Sequence, residues 1–218
     1  MRGTGMRVAE NNRDTVRLVR TFCRQLAGKL RSLCRNPSVP QEAPAPVHIR
    51  PHRIGDASYV AFLHGALYSE EYSLDSSFEV EVGRGIAGFV SRFDPQRDGF
   101  WIAELDGNVV GAIAIVHKAK ESAQLRWFIL HPAYRGLGLG RELMTYAVNF
   151  CRDKGYKRVF LWTFDELHAA IHLYRSFGFE RTKRKTHLRW GRNLTEERYE
   201  LDLVEGASSP GDINPQNR

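Results

Sequence analysis

Arg135-Gly136-Leu137-Gly138-Leu139-Gly140-Arg141 sits between Gln124 to Leu130, which reads as a strand, and a run that reads as a helix. His131-Pro132 ends the strand, because proline has no N–H to give to a sheet ladder. Beyond the turn, Leu143, Ala147, Phe150 and Cys151 share one helical face, and Gly155 supplies a left-handed stop. A strand, a glycine-rich turn and a helix bring unpaired backbone N–H groups and the positive end of a helix dipole to one point, which attracts anions. The glycines let a phosphate approach the main chain; a tight connection that merely needs left-handed residues asks for the same glycines. A P-loop requires Lys and then Ser or Thr after its last glycine, where Arg141 and Glu142 stand, and a dinucleotide fingerprint places its third glycine at position 141 rather than at Gly140.

Working outward, Phe100 to Leu105 and Val109 to Val116 are strand runs joined by the hairpin signal Asp106-Gly107-Asn108. Upstream of them, a short extended stretch from Val47 ends at Gly55-Asp56. Ala57 to Tyr72 then has the apolar spacing of one or two helices, and helical spacing continues to Phe93. Downstream, Tyr156 to Thr163 reads as a buried strand. Glu166 to Phe177 reads as a helix with the stripe Leu167, Ala170, Ile171, Tyr174 and Phe177, capped by Gly178. Thr186 to Trp190 and Tyr199 to Val204 finish the pattern as antiparallel strands. The order predicts an α/β fold: a single domain with a mixed central sheet, antiparallel N-terminal strands, a right-handed crossover in the middle and helices on both faces.

Length and charge bound the rest. With 218 residues, 42% of them hydrophobic, the chain suits one buried domain with tails. The net charge of +7 is uneven: residues 1–48 hold nine Lys/Arg and three Asp/Glu, and residues 49–218 hold 23 and 22. The domain at 49–204 is therefore nearly neutral, which argues against DNA as a partner. Residues 1–48 read as a basic amphipathic helix at 13–35, suited to an acidic partner, followed by a proline-rich linker. Residues 205–218 read as a disordered tail. Cys23, Cys34 and Cys151 form no CxxC pair, so no metal site or disulfide framework is expected. The absence of a long apolar run or of a secretion signal predicts no membrane span and a cytoplasmic location.

Arg135-Gly136-x-Gly138-x-Gly140 resembles the R/Q-x-x-G-x-G/A signature of the GNAT N-acetyltransferase superfamily. His131-Pro132 and Leu173-Tyr174-Arg175-Ser176-Phe177-Gly178-Phe179 resemble that family's flanking patterns. The resemblance implies a GNAT-like domain over 49–204 with acetyl-coenzyme A as co-substrate, wedged between two splayed parallel strands ending at Leu130 and Thr163. It implies that backbone groups of Phe128, Ile129 and Leu130 pair with the pantetheine arm and that Arg135, Gly136, Leu137, Gly138, Leu139, Gly140 and Arg141 hold the pyrophosphate. It also implies acetyl transfer to a small-molecule or peptide amine, with Tyr174 as the acid that protonates the departing thiolate. One departure is Leu167, where many relatives carry Asn seven residues before the tyrosine.

The acceptor side is read from spacing. His64, Tyr68, Glu71 and Tyr72 fall at i, i+4, i+7 and i+8, on one helical face. That face either lines an acceptor cleft, with Glu71 as the base candidate, or packs its aromatics and leaves Glu71 in solvent. The run His64 to Tyr72, Leu161-Trp162-Thr163 and Tyr199 to Leu203 are similar to the acetyltransferase half of MarR-regulator fusion proteins. A noncatalytic acetyl-coenzyme A sensor or docking module is the alternative function, and the final strands offer an edge through which a homodimer can form.

Overall fold

The computed structural model describes residues 47–203. The basic helix, most of the proline-rich linker and the tail lie outside these residues. β1 (His48–Pro51), β2 (Gly99–Leu105), β3 (Asn108–Ala119) and β4 (Ser122–Leu130) pair antiparallel in succession. β5 (Arg158–Phe164) runs parallel to β4, and the hairpin of β6 (Glu180–Arg189) and β7 (Arg192–Asp202) completes a seven-stranded sheet in the order β1-β2-β3-β4-β5-β7-β6. The α/β architecture is the one the sequence predicts: antiparallel N-terminal strands, then one parallel pair reached by a helical crossover. Among the described residues no helix is long and apolar enough to cross a membrane.

Each face of the sheet carries two helices. α1 (Asp56–Tyr72) and α2 (Ser76–Val90) pack Val60, Leu63, Phe78, Val82, Ile86 and Phe89 with Ala112, Ala114 and Val116 of β3. α3 (Leu139–Asp153) and α4 (His168–Ser176) pack Leu143, Met144, Ala147, Val148 and Ile171 with Ile113 and Ile115. The alternation along β3 sends successive side chains to opposite cores. Burying each large aliphatic side chain contributes about 1.5–3 kcal/mol, so both layers are held by their apolar stripes.

The helical run expected to reach Phe93 is two helices. Ser73 takes a left-handed φ of 56°, and Asp75 caps α2 by accepting from the Ser77 amide at 2.9 Å. α1 has no side-chain cap at Gly55. Instead Asp56 in its first turn binds Arg50 at 2.6 and 3.1 Å and the Arg53 amide at 2.6 Å, which places a carboxylate at the positive helix end and ties α1 to β1.

The last hairpin is longer than its hydrophobic signal. β6 begins at Glu180, six residues before the predicted start, and Trp190 belongs to the turn with φ 50°. The residues from Glu180 to Thr186 are exposed, because an edge strand with little covering it need not alternate. α4 starts at His168, two residues late, and Leu167 at its N-cap offers no side-chain acceptor.

Two irregularities place the site. β4 advances three residues, Arg126 to Ile129, while β3 advances two, Ala114 to Ala112, and Trp127 sits in the bulge with φ 48°. The bulge flips side-chain parity: Ala123 and Leu125 face α3 and α4, whereas Trp127 and Ile129 face α1 and α2. Pairing of β4 with β5 stops after Gln124 and Phe160, so the two strands part beyond that point.

Candidate active site

The parting of β4 and β5 leaves the β5-side edge of β4 from Leu125 to Leu130 without a sheet partner, and Phe128, Ile129 and Leu130 lie on it. At its C-terminal end lies the glycine turn. Gly136 and Gly138 adopt φ of 79° and 84°, and Gly138 is the N-cap of α3. Arg141 and Glu142 donate to the Gly138 carbonyl at 3.0 and 3.1 Å; among the described residues no acceptor takes the amides of 136–140. Five unclaimed N–H groups at a helix N-terminus form an anion cradle. A Cβ at Gly140 would stand 3.3 Å from Leu130 and Leu173 and 3.4 Å from Phe128, so this glycine lets α3 approach the strands closely. Leu137 is exposed, Leu139 is buried, and Arg141 reaches Ser176 Oγ at 3.2 Å from the surface of α3.

Arg135 is fixed by three hydrogen bonds to two partners. Its guanidinium donates to both Glu71 oxygens at 2.9 Å, and its Nε donates to the Leu130 carbonyl at 3.1 Å. Glu71, the base candidate, therefore stands in a bidentate pair that fastens the turn to the end of α1 and to β4.

On the α1 and α2 side of the split is a cavity of about 460 Å³, lined by side chains from both helices, β4 to β7, Leu167 and Tyr174. Tyr174 is buried between Phe128, Phe179 and Tyr199, with ring centroids 6.0, 6.1 and 6.5 Å away. Its hydroxyl has no hydrogen-bond partner among the described residues. Burial, with a smaller contribution from Tyr68, holds its phenol above the usual tyrosine range. Thr163 Oγ1 on β5 is likewise buried and unpartnered.

His64 and Tyr68 both line the cavity, stacked at 5.6 Å, while Tyr72 turns its ring edge to Phe164 at 5.3 Å. The two readings of the helical face thus divide along it: the first two residues line the cavity, and Tyr72 packs. His64 Nδ1 lies 2.8 Å from the Val60 carbonyl, which can only accept, so Nδ1 carries the proton and Nε2 keeps its lone pair. Burial, helped by nearby Arg126, pulls this imidazole down to about 4. Burial also raises Tyr68.

The far wall is polar and mostly self-paired. Arg189 binds Glu81 at 2.5 Å and Glu196 at 2.9 Å, Trp190 Nε1 donates to Glu81 at 3.0 Å, and His187 Nε2 lies 2.7 Å from Glu196. That last approach is an ion-pair distance rather than an aligned hydrogen bond, since Nε2 has no hydrogen-bond partner of proper geometry. No motif or spacing marks Arg126, Trp127, His187, Arg189 and Trp190, which meet only where β4 and the terminal hairpin face one cavity.

Comparison with known proteins agrees with this architecture. N-acetyltransferase family 8 member 2 of Rattus norvegicus is 34% identical over 88 residues, covering 38% of this chain and 39% of the relative. The mycothiol acetyltransferase of Cellulomonas flavigena is 35% identical over 100 residues, covering 41% of this chain and 28% of that protein. The match thus spans well under half the length of either relative. A Salmonella typhimurium protein solved with its cofactor acetyl-CoA superposes with a TM-score of 0.62 at 20% identity, over 77% of this chain and 99% of that one, a likeness of fold. Residues 65–179, more than half of the sequence and running from α1 through the glycine turn to just past α4, match the acetyltransferase (GNAT) family, and the chain belongs to it.

Proposed function

We propose that this chain transfers the acetyl group of acetyl-coenzyme A to a small-molecule or peptide amine. The observation that carries the reading is the junction of two features: a split between β4 and β5 with an unclaimed amide cradle at its end, and a cavity into which the unpartnered Tyr174 hydroxyl opens. The residues present fit the coenzyme. The amides of 136–140 and the α3 dipole suit a pyrophosphate, and the free edge through Phe128, Ile129 and Leu130 suits the amide groups of a pantetheine arm. When bound, the coenzyme supplies a thioester carbonyl open to attack by an amine.

Each remaining role belongs to the protein. The Tyr174 phenol stays protonated at every physiological pH and can give its proton to a departing thiolate, and the proton the amine sheds on becoming an amide restores the phenol. With ordinary values of about 10 and 8.5, that transfer is uphill by roughly 2 kcal/mol, and burial of the phenol makes it steeper. His64 Nε2 accepts from the amine N–H and orients its lone pair, and its low basicity keeps it neutral while it does so. Glu71 is a positioning residue, holding Arg135 and through it the turn. Two segments that resemble regulator-fused acetyltransferases, the α1 run and Leu161-Trp162-Thr163, contribute cavity lining, so we read that resemblance as one of the acceptor side.

Thiol release from acetyl-coenzyme A, followed across an amine panel, tests the reading. Release with at least one amine is expected, together with a roughly 100-fold or larger loss of kcat in Tyr174→Phe at unchanged coenzyme affinity. Coenzyme binding without release for any amine would instead assign a sensing or docking module.

A further inference from the structure

Arg126 is a cation that feels the charge of Glu81 at a distance but forms no ion pair among the described residues. Its side chain leaves β4 just before the bulge, toward α2, is half-buried, and lines the cavity. Among the described residues it makes no hydrogen bond or ion pair; its contact is with the Trp127 ring, whose centroid lies 4.5 Å from the guanidinium carbon. Room is made for it by Gly85 of α2, where a Cβ would stand 3.3 Å from Nη2 and 3.2 Å from Trp127 Cζ2. Proteins rarely leave a guanidinium partly desolvated and unpaired, because burial of an uncompensated charge costs several kcal/mol.

Glu81 acts on it only at a distance, and neither carboxylate of the lining pairs with it directly. Glu81 is taken by Arg189 and Trp190, and Glu196 by Arg189 and His187. Lys185, on the same wall, also has no ion pair among the described residues. The lining holds three full cations, Arg126, Lys185 and Arg189, against the two carboxylates Glu81 and Glu196. The coenzyme's phosphates do not supply the missing charge. Arg126 stands four residues before the end of β4, which puts about 13 Å of strand between it and the start of the turn at about 3.3 Å per residue.

We propose that the acceptor is an amine bearing a carboxylate, an amino-acid-like molecule, and that Arg126 is the residue that binds the carboxylate. The proposal rests on the acetyl-transfer reading. A guanidinium offers a planar fork that a carboxylate accepts bidentately, which fixes distance and orientation together. With the acid held at Arg126, the amine is left to reach His64 Nε2 and the open thioester end of the split. Lys185 adds long-range attraction at the rim.

The test compares kcat/KM, by thiol release, for a panel of α-, β- and γ-amino acids and the matched amide of each, in the wild type, Arg126→Gln and Arg126→Lys. At least one acid is expected to exceed its amide by about 30-fold or more, Arg126→Gln to erase that ratio, and Arg126→Lys to restore part of it. Coenzyme affinity stays within about twofold, and the unliganded Arg126→Gln protein melts no lower than the wild type, since an unpaired half-buried charge has been removed. Acids and amides used alike, discrimination surviving in Arg126→Gln, or turnover confined to amines without an acidic group would each overturn the proposal and leave acetyl transfer standing. No turnover with any amine would overturn both.

Discussion

The two sides of the β4–β5 split are made of different materials. The side proposed for the coenzyme is built from backbone: the free edge of β4, the amides of 136–140 and the left-handed glycines. The side proposed for the acceptor is built from side chains that α1, α2, β4, β5, α4 and the terminal hairpin deliver from positions as far apart as His64 and Glu196. A backbone site tolerates change in every side chain except those that must be absent. A side-chain site can be rebuilt one residue at a time, so the fold can keep one cofactor while changing its acceptor.

Substitutions can break this division. The largest expected effect is on the coenzyme side, in Gly140→Val. The added side chain meets Leu130, Leu173 and Phe128, and we expect acetyl-coenzyme A affinity to fall by about 100-fold, with an overpacking cost of about 1–3 kcal/mol in chemical denaturation. Tyr68→Phe, on the acceptor side, should change coenzyme affinity by less than about twofold; a comparable loss in both variants would erase the distinction.

His64 gives the next effect, and it appears in stability. Its folded pKa of about 4 lies below the ordinary value of 6.5, so between the two the unfolded chain binds the extra proton. Stability from this group is complete above about pH 6.5 and is lost as pH falls toward 4, by on the order of 3 kcal/mol. Denaturation midpoints measured across that window should fall steeply in the wild type and more gently in His64→Gln.

The smallest effect tests a side-chain strut beside the proposed coenzyme site. Glu71→Gln removes the charge from the bidentate pair with Arg135, whose side chain is 43% exposed. A partly exposed pair of this kind is worth about 1 kcal/mol, so coenzyme affinity should fall by roughly fivefold with kcat little changed. A large loss of kcat with affinity intact would return Glu71 to the role of base.

What could be read from the residues follows the same division. The turn at 135–141, the hairpin at Asp106-Gly107-Asn108 and the stop at Gly155 were legible because glycine and proline have backbone consequences that hold in any fold. The role proposed for Tyr174 rests on its flanking pattern, since on spacing alone it is one more aromatic in a buried stripe. Arg126 had no signal. A cation in a strand usually faces solvent; this one, paired with Ala114, faces the α1 and α2 layer by ordinary alternation, and the residues of β4 do not say that this layer leaves a cavity there. The full extent of β6 was equally hidden, because exposed charged residues along an edge strand look like a loop.

Calorimetric titration of acetyl-coenzyme A into the wild type and Gly138→Asn tests the central claim most directly. No atom lies within 4 Å of a Cβ at position 138, and asparagine tolerates its φ of 84°, so the fold should survive while the cradle is filled. Saturable one-to-one binding to the wild type, weakened by about 30-fold or more in a variant that melts within a few degrees of it, is the result predicted. Equal affinity in the two proteins, or no binding to the wild type, would contradict the assignment of the turn at 135–141 as the coenzyme site.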